Sequence, residues 1–357
     1  LFFRPLCGPI GTFRLQTSEG LSVADLLNLL TDIEGVAVGN VTDLALGSGV
    51  TAIVFDEPAV ASGIVLGGAP GGRDTALLDP SMSVGTVDAL VLSGGSAFGL
   101  DAAGGVQAGL REAGRGLQVG TTRVPIVPQA ILMDLLNGGD KEWGRHSPYR
   151  DLGYEAFLAA RKGRFDLGTV GAGTGATTAT FKGGLGSASA VSRAGHRIAA
   201  IVAVNALGSA TIGDGRHFWS APFEQQQEFG GLGLPSTFST QDTAIRLKGV
   251  NVTATTIGVI VTDAVLSKAE AHRLSILGHD GLARALLPAH LPFDGDTVFA
   301  ASTGRRPLDG MLEFMELCHL ATSVMARAIA RGVYEAIALP VAGAQPAWRD
   351  RFGAAAA

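Results

Sequence analysis

Apolar and polar residues follow two rhythms along this chain, and each rhythm marks a different kind of element. Short β-branched runs bounded by Gly, Asp or Asn predict strands at Gly49–Phe55, Ser62–Leu66, Val87–Leu92, Arg197–Asn205 and Thr255–Asp263. Leu30–Asn40 reads as a strand with a turn. Ala- and Leu-rich spacing predicts helices at Asp101–Ala113, Leu152–Lys162 and Phe314–Ala338, the last stopped by Pro340. Ser267-Lys268-Ala269-Glu270 is a capping box, from which a helix should run toward Leu287. Residues 215–248 follow neither rhythm and predict a mobile surface loop. Strands and helices mix throughout, so the class is α/β or α+β with layered sheets.

Composition narrows the picture. The chain has 357 residues, 46% hydrophobic and 17% charged, so it can bury a large core in one big domain or two ordinary ones. Its 51 glycines have no three-residue period, which excludes collagen and predicts many turns and close backbone approaches. A net charge of -5 argues against a nucleic-acid or anionic-membrane partner. Cys7 and Cys318 cannot build a disulfide framework, which points to a reducing, cytoplasmic setting. The longest uncharged stretch, Ile198–Gly213, is broken by Asn205, Gly208 and Ser209, so no membrane span is expected. Residues 1–26 read as a loosely ordered leader, 27–338 as a single domain and 339–357 as a tail.

Several segments could carry chemistry, and each also has an ordinary structural reading. Gly171-Ala172-Gly173-Thr174-Gly175-Ala176 matches a dinucleotide-binding pattern, but a poor strand precedes it and no acid lies between Asp166 and Asp214. A close-packed glycine turn, or a glycine wall beside an active site, fits better. His272, His279 and His290 lie on or after one helix without a third ligand at close spacing, so neither metal nor cofactor is expected. Asp294-Gly295-Asp296 is either a turn before a strand or a carboxylate pair at a strand edge. Lys182 is flanked by glycine and could be a desolvated cation beside a nucleophile. Asn205 either ends its strand or donates to an oxyanion. Thr255 heads a strand; it becomes a nucleophile if the chain is cut before it, because the freed α-amine then serves as base.

In order along the chain stand Thr31–Gly39, Gly67-Gly68-Ala69-Pro70-Gly71, Leu92–Leu100, Val124–Pro128, Gly171–Ala176, Asn205, Thr255-Thr256-Ile257 and Asp294–Phe299. Together they resemble the N-terminal-nucleophile peptidases that include the L-aminopeptidase/D-esterase, the β-peptidyl aminopeptidases and the endo-type nylon-oligomer hydrolase. The resemblance covers about residues 27–338. It implies a four-layer αββα sandwich, self-cleavage between Ala254 and Thr255, and chains 1–254 and 255–357 that stay together. It implies Thr255 as nucleophile, Asn205 as oxyanion donor, and Asp294 and Asp296 as groups near the nucleophile. A family lysine falls on Lys182 if the loop is two residues longer, and on Thr180 by a gap-free count. Relatives often carry Asn before the nucleophile, where this chain has Ala254; Thr253 and Thr256 are weaker candidates for the nucleophile. The implied activity is hydrolysis of small peptides or amides by a homo-oligomer, a tetramer of processed protomers. The alternative is a catalytically silent relative that serves as a scaffold or small-molecule-binding protein.

Overall fold

The computed structural model describes residues 26–249 and 254–353. Its elements are β1 (Val36–Asp43), β2 (Ser48–Val65), β3 (Gly72–Arg73), β4 (Thr86–Ser93), α1 (Ala102–Glu112), β5 (Leu117–Val119), β6 (Thr122–Val124), β7 (Gln129–Ile131) and α2 (Tyr149–Leu158). There follow β8 (Leu185–Val191), β9 (Arg197–Asn205), β10 (Thr255–Ala264), α3 (Lys268–Ala285), β11 (Thr297–Arg306), α4 (Met311–Tyr334) and α5 (Trp348–Phe352). The leader expected at 1–26 lies almost wholly outside the described residues.

Hydrogen bonding joins the main strands in the order β3-β7-β4-β2-β11-β10-β9-β8, with β1 also on β2. The sequence predicts two strands where β2 is one long strand. Its first half pairs with β1 and its last residues pair with β11 on the same edge. Between them the register against β4 shifts, from Val54 to Ala59. The exposed Asp56-Glu57-Pro58 sits at that shift, where Pro58 has no N–H to give the ladder. There β2 passes from one β layer to the other.

Alternation along the strands builds the layers. Val50, Ala52, Val54, Ala89 and Val91 face α1 and α2. Their neighbours Ile53, Phe55, Leu90 and Leu92 face Ile201, Ala203, Ile257 and Val259 across an all-β core. On the far side Ala200, Val202, Val204 and Ile260 pack under α3 and α4. The result is helix, sheet, sheet, helix: the expected αββα sandwich. The capping box forms as read, with Ser267 Oγ accepting from Glu270 N and the Glu270 carboxylate accepting from Ser267 N. Leu30–Asp32 is a single 3-10 turn rather than strand, because the Asp32 carboxylate accepts the N–H groups of Leu27 and Leu29 and fixes a turn. Residues 215–248 carry only the short turn Ala221–Phe223. The stretch read as a tail contains α5, whose Trp348 is buried in the helix-side core. No helix among the described residues is long and apolar enough to cross a membrane.

Candidate active site

The all-β core ends where β9 meets β10. Their antiparallel register pairs Thr255 with Asn205. Thr255 shares its strand face with Ile257 and Val259, and Asn205 shares its face with Ile201 and Ala203, all core residues. Two buried polar side chains therefore close that end of the core side by side. Thr256, one position on, turns to the opposite face, and its hydroxyl has no partner among the described residues. Thr253 lies outside the described residues.

Ala254 is held through both of its backbone polar groups. Its N–H donates to Phe293 O at 3.2 Å, and its carbonyl accepts from Gly295 N at 2.8 Å. Thr255 Oγ1 donates to that same carbonyl oxygen at 2.6 Å. One carbonyl is thus polarised twice, with a hydroxyl beside its carbon.

The Asp294-Gly295-Asp296 loop wraps the head of β10. Asp296 Oδ1 accepts from Thr256 N at 2.8 Å, and Oδ2 accepts from His290 N at 3.0 Å. His290 Nδ1 lies 2.8 Å from the same Oδ2. Burial would lower the basicity of His290, but the hydrogen bond and charge of Asp296 outweigh it and hold the imidazole above its ordinary value. Asp294 is less well served: Oδ2 accepts from Leu291 N at 3.0 Å, and the buried Oδ1 has no partner among the described residues. Burial, then the charge of Asp296, pushes the Asp294 carboxyl up to about 6. Adjacent carboxyls are thereby given different work, one an anchored acceptor and the other able to hold a proton near neutral pH. The Gly67–Ala69 loop backs them, with Ala69 N donating to Asp294 O at 2.7 Å.

Backbone groups fix which way the Asn205 amide points. Oδ1 accepts from Thr177 N at 3.0 Å and Nδ2 donates to Met133 O at 2.9 Å. A backbone donor at one end and a backbone acceptor at the other leave one orientation. Nδ2 donates only one of its two protons among the described residues. The glycine-rich turn at 171–176 supplies this support: it leads into Thr177, and Gly175 O accepts from Asn137 Nδ2 at 2.7 Å. The turn thus packs behind the Asn205 amide.

The fold gathers Thr255, Asn205, Asp294 and Asp296 at one strand end. Lys182 stands behind the turn. Its ammonium gives all three protons to carbonyls, those of Gly173 at 3.0 Å, Ala176 at 2.7 Å and Gly183 at 2.8 Å. The expected desolvated cation is present, and burial pushes it down to about 7, but what it touches is the turn and not Thr255. Thr180 turns elsewhere, its hydroxyl 2.8 Å from Ser209 Oγ. His279 Nε2 lies 3.0 Å from Ile64 O and His272 Nδ1 lies 3.3 Å from Ser62 Oγ. Among the described residues no three His, Cys, Asp or Glu side chains are grouped to hold a metal.

Sequence reasoning missed Lys248, whose Nζ lies 2.6 Å from Asn205 Oδ1. It sits at the end of the unpatterned stretch, where no spacing could point to it. It also missed His290 as a partner of Asp296, although the short spacing between them, bridged by a turn, was a usable signal.

The Peptidase family S58 model matches residues 28–347. A Mycobacterium tuberculosis protein titled uncharacterized aminopeptidase is 40% identical, over 91% of this chain and 98% of its own length. A Burkholderia β-aminopeptidase structure superposes with a TM-score of 0.69 at 22% identity, covering 94% of this chain and 95% of that one. The L-aminopeptidase D-Ala-esterase/amidase of Ochrobactrum anthropi, titled a variant of the Ntn-hydrolase fold, gives 0.63 at 19% identity, covering 92% and 95%. These two show the fold; the family match and the mycobacterial relative show the lineage. The chain belongs to peptidase family S58 and is a peptidase or amide hydrolase.

Proposed function

We propose that this chain is a self-processing aminopeptidase or amidohydrolase of short peptides and amides, with Thr255 as its nucleophile. The Ala254–Thr255 peptide carries the reading. Its carbonyl is held by Gly295 N and by the hydroxyl that would attack it, in a buried setting. In the first step Thr255 Oγ1 bonds to the Ala254 carbonyl carbon, the C–N bond breaks, and the hydroxyl proton passes to the departing nitrogen. Water then hydrolyses the resulting ester, leaving a carboxylate on Ala254 and a free amine on Thr255.

That amine has an ordinary pKa near 8 and sits on the same residue as the hydroxyl, so it can take the hydroxyl proton near neutral pH. Attack on a substrate amide forms an acyl-enzyme, which water releases. The spare Nδ2 proton of Asn205 faces the charge that develops on the substrate oxygen, a contact worth about 3 kcal/mol per donor in such sites. Asp296 holds the strand head through Thr256 N, and Asp294 supplies a carboxyl that can exchange a proton near pH 6.

The test is the N-terminal mass of the smaller fragment. Processing should give pieces of about 26 and 10 kDa, at roughly 0.1 kDa per residue, the smaller beginning at Thr255. Thr255→Ala should give a single uncut chain and no amidase activity. Cutting that persists in this variant overturns the assignment.

A further inference from the structure

A cavity of about 400 Å³ opens beside Asn205, lined by Asn137, Thr177, Lys248, Gly249 and the 341–345 loop. That volume is at the lower end of small-ligand cavities. It is tied to the candidate active site by one atom. Asn205 Oδ1 accepts from Thr177 N, from Lys248 Nζ and, at 3.4 Å, from Asn137 Nδ2, and all three donors belong to residues that line the cavity. Among the described residues the lining contains one charged side chain, Lys248, and no carboxylate.

An ammonium has three protons to give. Among the described residues Lys248 Nζ meets Asn205 Oδ1 at 2.6 Å and Thr177 O at a long 3.4 Å. No carboxylate among the described residues forms an ion pair with it. Asp134 and Asp294 act on it only through space, the buried Lys182 lies close enough to feel its charge, and burial pushes its ammonium down to about 7. A half-buried cation facing a cavity whose described lining holds no acid can take an anion. In a dipeptide the terminal carboxylate carbon lies three bonds beyond the scissile carbonyl carbon, less than about 3.8 Å away. Asn205, the strand partner of Thr255, meets Lys248 through its amide oxygen, which places the cation one side chain away from the strand head.

We propose that this cavity receives the free C-terminal carboxylate of a short peptide substrate, with Lys248 as its counter-charge. The inference rests on the reading of Thr255 as the nucleophile of a peptide hydrolase, and it narrows the substrate class to short peptides with an unblocked C-terminus. Backbone anchoring keeps the cation in place, since Lys248 N donates to Leu207 O at 2.9 Å.

The experiment compares kcat/KM of the processed enzyme for alanyl and leucyl dipeptides, each as the free acid and as the C-terminal amide. Wild type should favour the acids by about tenfold, the scale of a partly buried ion pair. Lys248→Met should bring the acid-to-amide ratio near one, whatever happens to the absolute rates, and Lys248→Arg should keep most of the preference. A wild type that cuts both forms equally, or a Lys248→Met ratio equal to wild type, overturns the inference while leaving the hydrolase reading intact. Equal cutting by wild type with faster cutting of both forms by Lys248→Met would instead assign the cavity to the Ala254 carboxylate that self-cleavage creates. A wild type that cuts none of these peptides overturns the hydrolase reading, and this inference with it.

Discussion

Gly295→Ala is the sharpest test of the site geometry. A Cβ built on Gly295 would stand 2.5 Å from Thr255 Oγ1, 2.8 Å from Ala69 O and 3.0 Å from Thr255 Cγ2. Ordinary contact begins near 3.5 Å, so the hydroxyl would have to retreat by roughly 1 Å. The other side offers no relief, because Ala69 is tied to Asp294 O at 2.7 Å and Ala254 O to Gly295 N at 2.8 Å. A displacement of about 1 Å at a reacting atom costs about 100-fold in rate, or about 2.7 kcal/mol in barrier. The assay is a time course of the freshly purified chain on a denaturing gel, scored by loss of the full-length band. Circular dichroism and a thermal melt should show the fold retained, since one methyl at a loop leaves the three cores untouched. Processing of folded Gly295→Ala at the wild-type rate would refute the claim that the Thr255 hydroxyl must sit against Gly295 to cut.

Two further predictions concern buried charge. Asp294→Asn should stabilise the protein at pH 8 and not at pH 4. A carboxyl raised to about 6 binds its proton more tightly in the folded state, so it costs nothing below the unfolded value of 3.8 and most above pH 6. The gain at pH 8 should be on the order of 1 kcal/mol after solvent screening, read from melts at the two pH values; a gain at pH 4 of the same size would contradict it. Lys182→Met should cost about 3 kcal/mol in denaturant unfolding, because the carbonyls of Gly173, Ala176 and Gly183 all lose their donor inside the protein. Full stability with lost processing would show that Lys182 acts on the reaction and not on the turn.

Local rules read well where local physics decides. The capping box at Ser267 and the strands at 87–92, 197–205 and 255–263 were legible because periodicity and caps act within a few residues. The break in β2 was not, since Asp56-Glu57-Pro58 resembles any loop between two strands. Only pairing of both halves, with β1 and β11 along one edge, shows a single strand crossing between layers.

The chain by itself determined Thr255 as a strand head, Asn205 as a strand end, and Asp294 and Asp296 as a short acidic turn. Motif order then supplied the resemblance that tied them together. Tertiary structure alone decided what each atom touches. It set Asn205 beside Thr255 through the β9–β10 register, and it gave the Ala254 carbonyl a donor from Gly295 across the chain. It spent the Lys182 protons on a turn and brought Lys248 to the Asn205 amide. The physical reason is range: periodicity and capping are set by near neighbours, whereas hydrogen bonds and desolvation depend on contacts that only the folded sheets create.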